Sequence, residues 1–368
     1  MSESHLKYLS IKNFKSIKDL KIDCRRINIF LGKPNVGKSN ILEAVGLYGA
    51  PYSITKWNKF FQNGYLRFDD LRNLFHFNDR KESILVDSNI SKSVFRFDSN
   101  TEKYLFYSAP HPQGLKAEWD LKRDSNEVLD KDFINKLNSK QVEGKYPSFA
   151  VLMDENCFFE NEIPKQRFKG WVRKYDFLKY SKANEVGSEK FDSFLLPNHG
   201  NNLYQILNSN HALTETVSQY FEEYNLEFVL DEESNKFLIL KREGKVVKSL
   251  PFSLIADTLQ RIIFHLAAIK SNENAVLILE EPEAHSYPVY ITMLAQEIIK
   301  SSSNQFFIAT HSPYLLNHVL ENANKEEVAV FVCSYDKHET KAKMLSGNEL
   351  NELINYGVDI FMQIDSYA

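Results

Sequence analysis

Gly32-Lys33-Pro34-Asn35-Val36-Gly37-Lys38-Ser39 is the stretch of this sequence that decides the fold. The residues before it, 27–31, are rich in branched and aromatic apolar side chains, which is the pattern of a buried strand. The residues after it, 40–48, carry apolar side chains at helical spacing. A strand, a glycine-bounded loop and a helix in this order predict a phosphate-binding loop.

The chemistry of such a loop follows from its backbone. Its N–H groups and the positive end of the following helix point toward a bound anion. The Lys38 ammonium can reach terminal phosphates, and the Ser39 hydroxyl is a ligand for Mg²⁺. A glycine turn that only caps the helix is the alternative. The predicted cofactor-binding residues of the loop are Gly32, Asn35, Val36, Gly37, Lys38, Ser39 and Asn40.

Composition excludes several classes of protein. The chain has 368 residues, of which 43% are hydrophobic, so it can bury a sizeable core. A net charge of -4 means that any nucleic-acid binding must be local. Three separated cysteines without a C-x-x-C motif argue against a disulfide framework or a structural zinc site. Because no signal-peptide core and no apolar run of membrane-spanning length occur, we expect a cytoplasmic protein without membrane contact.

The segment 8–23 precedes the loop and has apolar residues at short, strand-like intervals. This spacing predicts two N-terminal antiparallel strands joined by a turn at Lys15-Ser16. Lysines lie between the apolar residues and form either a solvated strand face or a surface for phosphate or nucleic acid. These lysines are Lys7, Lys12, Lys15, Lys18 and Lys21.

Residues 51–199 lose the alternation of strand and helix. Two strand-like runs, 93–97 and 104–108, lie on either side of a turn cluster. We therefore predict that 51–199 holds additional strands and an inserted lobe of helices and strands. Residues 1–50 and 200–368 are then expected to form one discontinuous α/β domain.

One segment of this lobe, 165–182, holds seven basic residues and five aromatic residues. Phe168, Trp171, Tyr175 and Leu178 fall on one face of a helix. This spacing predicts an amphipathic helix with an aromatic stripe in the core and lysines in water. Nucleic-acid binding by stacking and phosphate contact, or binding to a protein partner, are the alternatives.

Regular alternation returns after residue 195. The predicted helices are 203–207, 217–224, 253–269, 288–299, 312–320 and 348–356. The predicted strands are 227–230, 237–241, 275–279, 305–309, 328–333 and 341–345. Apolar strands separated by helices predict a parallel sheet that is covered on both faces.

Acidic and histidine side chains follow two of these apolar strands at the carboxyl ends, where ligands bind in such sheets. Glu280 can hold Mg²⁺, directly or through water, and Glu281 can orient or deprotonate the attacking water. His311 can hydrogen-bond the γ-phosphate or this water. A helix N-cap region and a capping histidine are the alternatives. The three strand ends together predict nucleotide hydrolysis, with Glu281 and His311 catalytic and Ser39 and Glu280 binding the metal.

Residues 11–17, the loop 32–39, residues 279–285 and residues 309–313 together resemble the ABC-type ATPases of the SMC, RecF and OLD group. The resemblance is closest to the stand-alone bacterial ATPases known as AAA-15 or AAA-21, and it covers both ends of the chain. It implies an ABC-type P-loop ATPase domain with a mixed or parallel central sheet flanked by helices, which uses ATP and Mg²⁺. It also implies that Glu281 is the catalytic base and His311 the switch histidine.

The sequence departs from this family at the signature segment. Family members hydrolyse ATP in a head-to-tail dimer, where a Ser-Gly-Gly signature at a helix N-terminus contacts the partner's γ-phosphate. The matching helix is expected to begin at Ser253 and has lost both glycines, so Ser253, Asp257 and Thr258 are the predicted contacts. Turnover is then expected to be slow or partner-dependent. Arg261 is either a trans-acting cation or a surface salt-bridge residue.

The residue of the family's glutamine loop stays open among Gln62, Asn73 and His76. The resemblance further implies an ATP-driven homodimeric switch that acts as the sensor or regulator of a bacterial anti-phage system. A separate effector, a nuclease or toxin, would come from a neighbouring gene, because no TOPRIM-like Asp-x-Asp cluster follows His311. The alternatives are a RecF-like or SMC-like DNA-binding repair ATPase and a scaffold that keeps its ATP bound.

Overall fold

The computed structural model describes residues 5–57, 66–111, 148–163, 172–175, 193–356 and 360–367, together with Ile134 and Asn138. In chain order, the strands are β1 (Tyr8–Phe14), β2 (Ile17–Asp23), β3 (Ile27–Leu31), β4 (Ile84–Ser88), β5 (Ser91–Asp98), β6 (Lys103–Pro110), β7 (Phe149–Met153), β8 (Val172–Tyr175), β9 (Glu227–Asp231), β10 (Lys236–Glu243), β11 (Val246–Pro251), β12 (Val276–Glu280), β13 (Gln305–Ala309), β14 (Val328–Asp336) and β15 (Glu339–Met344). The helices are Lys38–Gly46, Ala50–Trp57, Leu203–Ser209, His211–Glu222, Asp257–Lys270, Pro288–Lys300, Pro313–Asn322, Gly347–Tyr356 and Ile364–Tyr367.

A central sheet with strand order β15-β14-β3-β13-β12-β8 organises the molecule. The pairs from β14 to β8 are parallel, and β15 joins β14 as an antiparallel edge. Because side chains alternate across a strand, β3 buries Ile29 and Leu31 on one face and Phe30 on the other. Each face lies in its own hydrophobic cluster, so the predicted parallel sheet, covered on both faces, is confirmed.

A second, antiparallel sheet has the order β2-β1-β4-β5-β6-β7 and covers one side of the central sheet. Its β1–β2 hairpin confirms the predicted N-terminal strands, with a turn in which Lys15 has a φ of 50°. The β5–β6 pair confirms the hairpin predicted around the turn at 98–101. Phe30 stacks on Phe307 and Phe331 beneath this sheet, with ring centroids 6.2 and 5.0 Å away.

A small third sheet, β11-β10-β9, packs with helices on the opposite side of the central sheet. The β9–β10 pair was predicted, whereas β11 was not. The sequence pattern missed β11 because all six of its residues are exposed and give no alternation of buried and exposed positions. The predicted helices of the C-terminal half are present, with ends shifted by a few residues.

Two predictions of local structure are wrong. The helix expected from Ser253 begins at Asp257, because Phe252–Leu254 forms a separate 3-10 turn and Ala256 is extended, with a ψ of 134°. The helix expected over 165–182 is instead a strand at Val172–Tyr175, paired in parallel with β12. The remainder of 165–182 lies outside the described residues. The predicted division into 1–50 with 200–368 and 51–199 stays a prediction, although β8 shows that the middle segment contributes to the central sheet.

Within the described part of the chain, no helix combines the length and the apolar character needed to cross a bilayer.

Candidate functional site

Three strand ends bring the predicted site residues together. Strand β13 lies between β3 and β12, and all three are parallel, so their carboxyl ends form one edge. In the strand register, Glu280 pairs with Ala309 and Ala309 pairs with Phe30. The loop 32–39 and Glu281 follow directly after the ends of β3 and β12, and His311 is the second residue after the end of β13. Residues that are far apart in sequence therefore surround one position, as parallel α/β sheets arrange their ligand sites.

The loop wraps around the Lys38 side chain. Gly37 has a φ of 97° and ends the loop at the start of the helix Lys38–Gly46. Lys38 is 7% exposed, and its Nζ donates to the carbonyl oxygens of Gly32 at 2.8 Å and Lys33 at 2.9 Å. Burial lowers the pKa of Lys38, against the opposing effect of Cys333, Glu281 and Glu280. The loop backbone thus holds a positive charge at the sheet edge.

Two residues missed by sequence reasoning brace this loop. The Thr340 hydroxyl, on β15, donates to the Val36 carbonyl at 2.9 Å and lies 2.6 Å from the Ser16 hydroxyl. Asn40, predicted to contact the cofactor, donates its amide to Ser16 at 2.7 Å. A Cβ on Gly37 would lie 2.0 Å from the Thr340 hydroxyl, so glycine is required there by space as well as by φ.

Glu280, the predicted metal ligand, ends β12 within a group of polar partners. The Ser39 side chain interacts with its carboxylate and favours the ionised form. Lys174 Nζ lies 3.6 Å from Oε2, and Arg67 Nη2 donates to Oε1 at 3.2 Å. Burial alone would raise the pKa of Glu280, but Lys174, Ser39 and Arg67 outweigh it and lower that pKa. Glu280 therefore stays ionised beside the loop.

The charges continue from Glu280 into the loop helix. Arg67 Nε donates to Oε1 of Glu43 at 2.8 Å, and Glu43 is fully buried on Lys38–Gly46. Lys15 also pairs with Glu43 and donates to the Arg67 carbonyl at 2.6 Å. Lys15 therefore points into the structure, which corrects both readings of it as a solvated or phosphate-facing lysine.

Glu281 and His311 face each other across the strand ends. Glu281 has a φ of 44°, and its N–H donates to the Ala309 carbonyl at 2.9 Å. His311 Nε2 lies 3.8 Å from Oε1 of Glu281, and both side chains are exposed. Glu283 accepts from the Thr310 hydroxyl at 2.7 Å and from the His311 N–H at 2.8 Å, which fixes the two tips relative to each other.

The signature segment lies beside the acidic tip. The Thr258 hydroxyl donates to the His285 carbonyl at 2.7 Å, and Arg261 Nε donates to Asp257 at 2.8 Å within the helix. Ser253 belongs to the preceding 3-10 turn and is partly exposed. The Asp257–Arg261 pair matches the salt-bridge alternative for Arg261. Contact of Ser253, Asp257 and Thr258 with a partner's nucleotide stays a prediction.

Of the three candidates for the glutamine-loop residue, the structure describes Asn73 and His76. Gln62 lies outside the described residues. Asn73 caps the turn Leu71–Leu74 through the backbone of Asp70, and His76 Nδ1 lies 2.8 Å from the Lys15 carbonyl oxygen. Two basic side chains, Arg67 and Lys174, reach Glu280, and no sequence signal identified either of them as its partner. The sequence pattern placed Lys174 on the face of a helix. Its pairing with Glu280 is evident only from the folded structure, where the two side chains lie 3.6 Å apart.

The donor set at Ser39 and Glu280 fits Mg²⁺. A hydroxyl and an ionised carboxylate are hard oxygen ligands, and Ser39 helps to lower the pKa of Glu280 beside the phosphate loop. Among the residues that the structure describes, no group of three or more His, Cys, Asp or Glu side chains could hold a metal ion by itself. A metal bound here would therefore need further ligands from nucleotide and water, which is usual for Mg²⁺.

Comparison with protein families identifies one matching model. A family described as "AAA domain, putative AbiEii toxin, Type IV TA system" matches residues 27–317. A curated relative from Helicobacter pylori (strain ATCC 700392 / 26695), named "ATP/GTP phosphatase", is 23% identical over 345 residues. The alignment covers 86% of this chain and 88% of the relative.

Solved structures give weaker similarity. An Smc head bound to the C-terminal winged-helix domain of ScpA has a TM-score of 0.48 and 14% identity, covering 93% of this chain and 98% of that one. An SMC head domain from Thermotoga maritima has a TM-score of 0.41 and 13% identity, covering 93% and 99%. The fold assigned here rests on the strand order and the parallel register described above.

Proposed function

The chain belongs to this AAA-domain family, whose model matches residues 27–317, and we propose that it is an Mg²⁺-dependent ATPase. Family membership agrees with the sequence resemblance to stand-alone bacterial ATPases of the AAA-21 kind. The Helicobacter relative named as an ATP/GTP phosphatase supports nucleotide hydrolysis here. The cytoplasmic location stays a prediction from the cysteine content and the N-terminal sequence.

The observation that carries this proposal is the meeting of loop, acids and histidine at one sheet edge. The charges of Glu281 and Glu280 raise the pKa of Lys38 against the larger, opposing effect of burial. Ser39 helps to lower the pKa of Glu280, and Oε1 of Glu281 lies 3.8 Å from Nε2 of His311. Phosphoryl transfer needs positioned cations, a metal-side carboxylate and a group that orients water, and these residues supply all three.

Each residue has a distinct role in the proposed reaction. The loop N–H groups and Lys38 bind the β- and γ-phosphates. Ser39 and Glu280 would hold Mg²⁺, which neutralises phosphate charge when bound. Glu281 orients and deprotonates the attacking water, and its exposed carboxylate is accessible to that water. His311 hydrogen-bonds the γ-phosphate or the water, while Glu283 holds the His311 backbone in place.

We also propose a dimeric switch with a separate effector. The hydrogen bond from the Thr258 hydroxyl to the His285 carbonyl connects the start of the signature helix to the acidic segment after β12 in the same subunit. A second subunit facing this helix would therefore respond to nucleotide. The family description names a putative toxin of a type IV toxin–antitoxin system, which supports a role in a two-component system of this kind. The assignment of this chain as the sensor or regulator of an anti-phage system rests on the sequence resemblance.

A DNA-binding repair ATPase is the second candidate, and exposed lysines on β1 and β2 favour it. Lys12, Lys18 and Lys21 are exposed on this hairpin. Arg173 and Lys174 are buried on β8, so they do not form the basic surface predicted for 165–182. Charge reversal of Lys18 and Lys21 should weaken salt-sensitive duplex binding if this candidate is correct. Unchanged affinity would remove it.

Phosphate release tests the ATPase directly. Wild type should release phosphate from ATP with Mg²⁺, and Glu281→Gln should be slower by about 10²-fold or more while still binding ATP. Lys38→Ala should lose ATP binding itself. Equal rates for wild type and Glu281→Gln would contradict the assigned roles. If both bind ATP and neither hydrolyses it, the chain is an ATP-bound scaffold.

A further inference from the structure

The carboxylate of Glu280, which is the proposed metal ligand, forms ion pairs with two basic side chains. Lys174 Nζ faces Oε2 of Glu280 at 3.6 Å, and Arg67 Nη2 faces Oε1 at 3.2 Å. The Lys174 side chain is 2% exposed, whereas the Arg67 side chain is 59% exposed. Glu280 is therefore paired with one cation that is shielded from water and one that is open to it.

The buried cation cannot leave easily. Lys174 lies on β8, a strand of four buried residues that pairs with β12 through Val172 to Tyr175. Moving its ammonium away from Glu280 would leave a buried charge without that partner, which is strongly unfavourable. Arg67 differs, because it is exposed and also pairs with Glu43. Lys174 thus supplies a fixed positive charge beside Ser39 and Glu280.

This fixed charge opposes a free divalent cation. A metal at Ser39 and Glu280 would lie close to the Lys174 ammonium, and like charges at such distances inside a protein repel strongly. The described residues offer no cluster of three acidic, histidine or cysteine ligands that could compensate. A triphosphate on the loop brings several negative charges to the same place, and these attract the metal and Lys174 together.

We propose that the buried Lys174 ammonium, through its charge beside Glu280, makes metal binding at Ser39 and Glu280 conditional on nucleotide. This inference rests on the proposed function, since it assigns the metal to Ser39 and Glu280. In the nucleotide-free protein, Lys174 keeps Glu280 oriented and neutralised. Once ATP is bound, the metal is retained because the phosphates offset the Lys174 charge.

The test uses Mn²⁺ as the probe, followed by its EPR signal on the full chain. Without nucleotide, wild type should bind Mn²⁺ weakly, and Lys174→Met should bind it more tightly, by on the order of tenfold. Lys174→Arg keeps the charge and should behave as wild type. Lys248→Met removes an exposed lysine that pairs with Glu243 at 2.8 Å, and it should also match wild type. With ATP present, the difference between wild type and Lys174→Met should shrink.

Three results would overturn the proposal. Equal Mn²⁺ affinity for wild type and Lys174→Met without nucleotide is the first, and equal tightening by Lys174→Arg is the second. If Lys174→Met does not fold, Arg67→Met removes the exposed cation and should tighten Mn²⁺ binding by a smaller factor. No change in that variant is the third.

ATP binding by wild type in excess EDTA separates this inference from the proposed function. If wild type binds ATP neither in excess EDTA nor with Mg²⁺, the proposed function is rejected, whatever the Mn²⁺ data show. Normal ATP binding with an unchanged Mn²⁺ response rejects only the role of Lys174.

Discussion

Replacing Gly37 by alanine perturbs the phosphate loop at its most constrained position. Gly37 has a φ of 97°, and an added Cβ would lie 2.0 Å from the Thr340 hydroxyl and 2.7 Å from that of Ser16. Gly244 offers a matched control, because its φ is 61° and nothing lies within 4 Å of the position that an added Cβ would take. Both variants place a side chain at a positive φ, and they differ in the contact with the β15 side chain.

The expected magnitudes follow from these contacts. A positive φ costs a non-glycine residue about 1–2 kcal/mol, and both variants lose this amount. At Gly37, Thr340 must also move, which overpacks a fully buried site by about 1–3 kcal/mol. Its hydrogen bond to the Val36 carbonyl is lost as well, at about 1 kcal/mol. We therefore expect Gly37→Ala to be about 2–4 kcal/mol more destabilising than Gly244→Ala.

Urea unfolding of both variants measures this difference, and titration with a fluorescent ATP analogue measures its effect on the loop. Gly37→Ala should weaken nucleotide binding by at least about tenfold, because the loop carbonyls and N–H groups shift with Val36. Gly244→Ala should bind nucleotide as wild type does. Equal stability of the two variants, together with normal nucleotide binding by Gly37→Ala, would refute this reasoning.

Three further predictions concern the core, the metal and pH. Phe30→Ala removes a fully buried ring stacked on Phe331 and should cost about 3–5 kcal/mol in urea unfolding, whereas Phe158→Ala, at a 66% exposed side chain, should cost less than about 0.5 kcal/mol; similar costs would contradict the packing. Ser39→Ala should keep metal-free nucleotide binding and lose the gain that Mg²⁺ adds in the same titration; an unchanged gain would remove Ser39 as a ligand. Burial, with a smaller effect of Arg261, lowers the pKa of His265 to about 3. Below the ordinary histidine pKa near 6.5, His265 is protonated in the unfolded chain but not in the folded one. The free energy of unfolding should therefore fall by up to about 1.4 kcal/mol per pH unit as the pH is lowered from 6.5 to 3. His265→Gln should flatten that part of the urea-derived stability profile; an unchanged slope would exclude His265 as its source.

The sequence predicted the parts of the site whose signal is local. The loop 32–39 is contiguous. Glu280 and Glu281 stand at the end of one apolar strand, and His311 is the second residue after another. Their chemistry can be read from neighbouring residues, and the sheet topology then brings them to one edge. The same holds for the parallel strands β12 and β13, whose apolar runs are bounded clearly.

The supporting residues could not be predicted, because their partners are remote in sequence. Ser16 and Thr340 are separated by 324 positions and meet only in the fold. The sequence pattern placed Lys174 on a helix, since Phe168, Trp171 and Tyr175 recur at helical spacing, and a four-residue strand is too short to override that pattern. Its partner Glu280 is remote in sequence, so no local rule places a lysine there.

A crystal structure with Mg²⁺ and a non-hydrolysable ATP analogue tests the central claim most directly. The measurement is the set of distances from the γ-phosphorus to Lys38 Nζ, Glu281 and His311. We predict that all three side chains surround the γ-phosphate, with the metal between Ser39, Glu280 and the phosphates. A nucleotide bound elsewhere, or a γ-phosphate that contacts Lys38 but neither Glu281 nor His311 of its own or a second subunit, would contradict the account.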